Sequence, residues 1–182
     1  VVYSLQGVTC AEGLDRARFA GLEPLTDKLI EDPTADPEQL AGEYLTEGFE
    51  ETKKALDGAR SILIDRFALD ADLVGEVRER MFTEGSMGAH VIEGKEAEGA
   101  KFKDYFSFNE PFHTLPSHRI LALLRGENEG VLQLQLDAGD DADYEDVIAS
   151  RFELDRSSKW LADAVHWGWR TKLYISSSLD VR

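Results

Sequence analysis

Residues Glu50 to Ala68 read EETKKALDGARSILIDRFA, and within them Ala55, Leu56, Ala59, Ile62, Leu63 and Phe67 recur at spacings of three and four. That period lines them up on one stripe of an α-helix and leaves Lys53, Asp57, Arg60, Ser61 and Asp65 largely on the wet side. The same signal extends in both directions. Upstream, Leu22, Leu25, Leu29 and Ile30 share a helical face after Pro24, a residue tolerated in a first turn. Asp36-Pro37-Glu38-Gln39 then reads as N-cap to N3, with Gln39 placed to reach back as in a capping box, and Leu40, Tyr44 and Leu45 supply the stripe. Downstream, Asp70 or Asp72 caps a helix carrying Leu73, Val74, Val77, Met81 and Phe82, which Gly85 and Gly88 end. After the acidic break Gly139-Asp140-Asp141 comes a helix with Tyr144, Val147, Ile148 and Phe152. A last helix from about Ser158 turns Trp160, Leu161, Ala164, Val165 and Trp169 inward and leaves Trp167 off the stripe as a contact residue.

Two short segments have the other period. Leu132, Leu134 and Leu136 alternate with Val131, Gln133 and Gln135, the pattern of a half-buried strand, and 89–93 pairs with 131–136 as an antiparallel ribbon. Between them Lys95 to Tyr105 and His118 to Arg125 read as helices, with Ser117 as N-cap and Gly126 as C-cap of the second. Phe102, Tyr105 and Phe106 have core spacing. The expected fold is mainly α: one multi-helix domain over 1–182 with a single small antiparallel β ribbon.

At 182 residues and 42% hydrophobic, the chain can bury a core. Its formal charge of −16 repels a polyphosphate backbone and argues against a strong autonomous nucleic-acid binder. The excess is uneven. From Glu93 to Arg125 five acids (Glu93, Glu96, Glu98, Asp104, Glu110) meet five bases (Lys95, Lys101, Lys103, Arg119, Arg125), so this segment is neutral. The lone Cys10 excludes an internal disulfide and a thiolate metal cluster, which fits a reducing, cytoplasmic setting. No apolar run reaches the ~18 residues that span a bilayer, so no membrane partner is expected.

Motifs for chemistry are weak. His113 and His118 are five apart around Pro116 and do not share a helix face as a zinc pair would. Glu96, Glu98, Asp104 and Glu110 stand among lysines, the pattern of a solvated helix rather than an acid–base pair. Ser117 lacks a nucleophile elbow, and the glycines match no phosphate loop. No cofactor, metal or catalytic residue is expected, and the chain is read as non-enzymatic. The candidates for contact with nucleic acid or a partner are Lys95, Lys101, Lys103, His118, Arg119 and Arg125.

The segments GKEAEGAKFKDYF (Gly94 to Phe106), PSHRILALLRG (Pro116 to Gly126) and NEGVL (Asn128 to Leu132) resemble the Tex family of bacterial transcription accessory proteins. GLEPL (Gly21 to Leu25), ALDGARSILIDRF (Ala55 to Phe67) and the helix from Trp160 to Trp169 extend the likeness over most of the chain. The resemblance implies a helical N-terminal or central piece of a longer protein whose RNase H-like, helix-hairpin-helix and OB-fold RNA-binding domains lie beyond Arg182; a start at Val1 without methionine fits such a piece. It also implies RNA or DNA as the partner of the full-length protein, and contact with the transcription machinery. Where the family carries a basic stretch before GLEPL, this chain reads YSLQGVTCAEGLDRARF (Tyr3 to Phe19), with only Arg16 and Arg18 basic. The expected function is a helical scaffold. The alternatives are part of a nucleic-acid-processing enzyme, or a protein-interaction module without nucleic-acid contact. A structural role for the neutral segment predicts that removing Arg119 or Arg125 strands carboxylates and lowers stability well below wild type.

Overall fold

The computed structural model describes residues 6–181, with side chains from 13 to 178. Tyr3 and the side chain of Cys10 therefore lie outside the described residues. The chain forms two compact units, Val1–Val74 with Ala142–Ile175, and Gly75–Asp141 with Ser176–Arg182.

The first unit is built on the helix the sequence marks most clearly, Thr52–Leu69. Numbering in chain order, it is α4, after α1 (Gln6–Phe19), α2 (Glu23–Glu31) and α3 (Pro37–Gly42). All three pack on it. Ala55, Ala59, Ile62, Leu63 and Phe67 are fully buried, as the stripe requires, and Leu22, Leu25, Leu29 and Ala41 close over them. Buried Thr26 donates to the Ala59 carbonyl at 3.2 Å, so its hydroxyl is satisfied where α2 meets α4. The Asp36 cap holds, its carboxylate accepting the Glu38 N–H at 3.0 Å. Tyr44 and Leu45, however, lie beyond α3, and Leu45 is exposed. Asp70, not Asp72, caps α5 (Ala71–Glu84) by accepting the Leu73 N–H at 2.9 Å. It also takes both the Nε and an Nη of Arg151, at 2.9 and 3.2 Å. α7 (Asp141–Arg151) and α8 (Lys159–Gly168) complete this unit, with a π turn over Trp169–Leu173 leading into α9 (Tyr174–Val181). Trp169 is fully buried and stacks on Tyr144 at 4.1 Å.

The second unit contains the expected ribbon, enlarged to three antiparallel strands in the order β2-β1-β3: β1 (Ser86–Val91), β2 (Ser107–Pro111) and β3 (Leu132–Asp137). Ala89 opposes Phe108 on one side and Leu134 on the other, and Met87 opposes Leu136. Leu132, Leu134 and Leu136 are buried and Gln133 and Gln135 exposed, the alternation read from the sequence. α6 (Ser117–Asn128) packs on β3.

Four local expectations change. α5 stops at Glu84, but Gly88 is a strand residue opposite Gln135 and not a terminator. Lys95 to Tyr105 is not one helix: turns occupy its first half and a short 3₁₀ helix spans Ala100–Tyr105. Gly99 breaks it, and an added Cβ there would sit 2.2 Å from the Val131 side chain. Pro116, not Ser117, is the N-cap of α6. Gly126 is no C-cap either: it lies inside α6, buried, where a Cβ would come within 2.5 Å of Leu132. Packing density overrides the cap signal there.

Candidate functional site

The 3₁₀ helix and α6 carry most of the expected contact residues, and the structure ties the majority of them to carboxylates. Lys101 Nζ lies 2.5 Å from Glu129 Oε2, while Arg125 Nε donates to Glu129 Oε1 at 2.9 Å. One carboxylate just past the end of α6 thus gathers its i,i+4 neighbour Arg125 and, from an element distant in sequence, Lys101. Arg119 pairs with Glu110 of β2, and Lys95 with Glu98 at 2.7 Å. Of the six candidates, only Lys103 and His118 are exposed with no ion pair among the described residues. Phe102 is buried under Lys101, whose ammonium lies 5.0 Å from the ring centre, so this aromatic serves the core rather than an open stacking platform.

Glu129 is held below the usual carboxylate range by the Lys101 ammonium first and the Arg125 guanidinium second. With the folded value depressed, the stabilisation is present above the unfolded glutamate value and is lost as pH falls through the folded one. Replacing Lys101 by Met should raise the Glu129 titration midpoint, followed by side-chain carboxyl NMR, toward the ordinary range. A midpoint that does not move would show that the pair does not persist in solution.

The geometry corrects the stability expectation for the arginines. The side chains of Arg119 and Glu110 are 41% and 35% exposed, a surface pair and not a buried one. Arg119→Ala should therefore lower stability by only about 0–1 kcal/mol, measured from the denaturant midpoint. A drop of several kcal/mol would mean the pair is desolvated.

Sequence reasoning missed Leu121, which is 66% exposed on α6. His118, Leu121 and Arg125 follow at three and four, so they share one solvent-facing ridge. In the first unit Trp167 is 51% exposed with the Arg60 guanidinium 5.8 Å from its ring centre, as its place off the buried stripe implied. A cleft of about 660 Å³ lies between Phe19 of α1, the turn at Thr46 and Phe49, and Lys54, Asp57 and Ser61 of α4. Among the described residues no three His, Cys, Asp or Glu side chains cluster as metal ligands, and no helix is long and apolar enough to cross a membrane.

A family model described as Tex central region-like matches residues 32–182. The chain belongs to the Tex family. It is 45% identical over 167 residues to the transcriptional accessory protein Tex of Neisseria gonorrhoeae, covering 88% of this chain and 22% of that protein. Protein tex of Bordetella pertussis is 45% identical over 174 residues, 86% of this chain and 22% of that protein. More distantly, the transcription elongation factor spt6 of Schizosaccharomyces pombe is 23% identical over 154 residues, 81% and 11% respectively. The chain thus spans less than a quarter of the Tex proteins it matches. The neutral segment from Glu93 to Arg125 lies wholly inside the matched Tex region, whereas the departure at Tyr3 to Phe19 lies outside it.

Proposed function

We propose that this region is a non-enzymatic helical scaffold of a nucleic-acid-binding transcription accessory protein, working in the cytoplasm, and that RNA or DNA is held chiefly by other parts of the full-length protein. The observation that carries this reading is the neutralisation of the candidate bases: Lys95, Lys101, Arg119 and Arg125 each face a carboxylate. A cation already paired releases fewer counterions from a phosphate backbone, and the chain's −16 opposes the approach. The similarity to a transcriptional accessory protein and a transcription elongation factor supports a place beside the transcription machinery. Lys103 and His118 are the residues left for a direct contact.

Filter binding of labelled single-stranded RNA and duplex DNA at about 150 mM salt tests the reading. Non-specific binders give dissociation constants of roughly 10⁻⁴ to 10⁻⁶ M under such conditions, and this region should fall at or above the weak end. Submicromolar binding would overturn it. Metal-supported nuclease activity in the pure protein, lost on changing one carboxylate, would restore the enzyme alternative.

A further inference from the structure

β1 lies between the other two strands, so both its sides are paired, whereas β2 is an edge strand with one long side open. The phase of the ladder tells which of its backbone groups face outward. The Val91 N–H donates to the Phe106 carbonyl at 3.2 Å and the Phe112 N–H to the Gly85 carbonyl at 3.1 Å. In an antiparallel pair, bonded positions alternate with unbonded ones, so Phe108 and Glu110 turn their amides and carbonyls toward Ala89 and Met87 of β1. Ser107 and Asn109 turn theirs away. The other side of β1 agrees: the Ile92 N–H donates to the Val131 carbonyl at 2.8 Å, which leaves Ser86, Gly88 and His90 to bond β3. Ser107 and Asn109 are exposed, and their backbone groups have no hydrogen-bond partner among the described residues.

Donors and acceptors that alternate along an extended edge are the template for one more strand. Pro111 limits the open stretch, because it has no N–H and its carbonyl accepts from the Thr114 hydroxyl at 3.1 Å. The free window is therefore 107–109. Its side chains define the strand that fits. On one face stands Phe108, half-buried, its ring meeting Tyr105 edge-on at 5.4 Å, which favours an apolar residue opposite it. On the other face are Ser107 and Asn109, small and uncharged. Two copies of this chain joined edge to edge would bring −16 against −16, so charge favours a different polypeptide with basic ends.

We infer that the 107–109 edge of β2 is a docking site for an extended segment of a partner protein, which adds as a fourth strand with an apolar residue beside Phe108 and basic flanks. This adds a protein-binding edge to the scaffold reading and is tested without nucleic acid. The probe is the peptide Lys-Thr-Val-Thr-Val-Thr-Val-Thr-Lys, titrated into the isotope-labelled whole chain and followed by NMR. Amide shifts should concentrate at residues 106–110, and the Ser107 and Asn109 amides, fast to exchange in the free chain, should become protected. Because an added strand bonds through alternate residues, N-methylation of the peptide at its valines or at its threonines should abolish binding in one set and spare it in the other. Asn109→Pro removes an outward N–H without touching the ladder to β1, and should weaken binding about tenfold, the worth of one to two hydrogen bonds. The methylation series uses unaltered protein and decides the case where that variant fails to fold. Glutamates in place of the two lysines should weaken the peptide. No shift at 106–110, equal sensitivity to both methylation sets, glutamate ends that bind as well as lysine ends, or a dimer of this chain closed through 107–109 would each overturn the assignment.

Discussion

Trp169→Ala should lower the stability of this chain by about 3–5 kcal/mol, the range for emptying a large buried aromatic site. The indole is fully buried, stacked on Tyr144 with an interplanar angle of 5° and met edge-on by Tyr174 at 5.6 Å. Removing it forfeits both ring contacts and leaves a void among α7, the π turn and α9. Trp167→Ala is the matched control, only two residues away but half exposed. The Arg60 guanidinium lies over its ring, a contact worth about 0.5–1 kcal/mol at an exposed site. Equilibrium denaturation of the two variants should separate clearly. Equal losses would mean that Trp169 is not the core residue described.

Leu132→Ala should have the second large effect, about 2–5 kcal/mol, because Leu132 is buried on β3 where α6 packs most closely. The closeness depends on Gly126, whose missing Cβ would lie 2.5 Å from the leucine Cδ1 and 2.8 Å from its Cγ. Gly126→Val should consequently destabilise by about 1–3 kcal/mol through overpacking. Combining the two changes removes the clash along with the leucine. The double variant should then lose less than the sum of the singles, with a coupling of about 0.5–3 kcal/mol. Strict additivity would show that the two side chains do not meet, and with it that α6 does not sit on β3 as described.

Much of the helical unit was legible because its signals are local. The stripe on α4 and the Asp36 cap need only the residues within one or two turns, and both appear where the sequence places them. The alternation of Leu132, Leu134 and Leu136 likewise names β3 without reference to its partner. β2 was missed for the opposite reason. Ser-Phe-Asn-Glu-Pro has little strand character of its own, and becomes a strand by pairing its Phe108 with Ala89 of β1. Gly126 misled in the same way: it carries a cap signal, yet it is glycine because Leu132 from another element fills the space of its side chain.

The candidate site divides along the same line. By itself the sequence determined that the segment from Glu93 to Arg125 is neutral inside an acidic chain, since charge is a sum over residues and needs no geometry. It also determined the family likeness, carried by ordered motifs, and the period of each major helix. Arg125 and Glu129 stand at the local i,i+4 spacing, but only the tertiary structure decided the other pairings, by bringing Lys101 to the same Glu129, setting Glu110 beside Arg119, and leaving Lys103 and His118 without an ion pair among the described residues. Periodicity reports which face of an element is buried, whereas an ion pair depends on the distance between two elements, and that distance is set by packing.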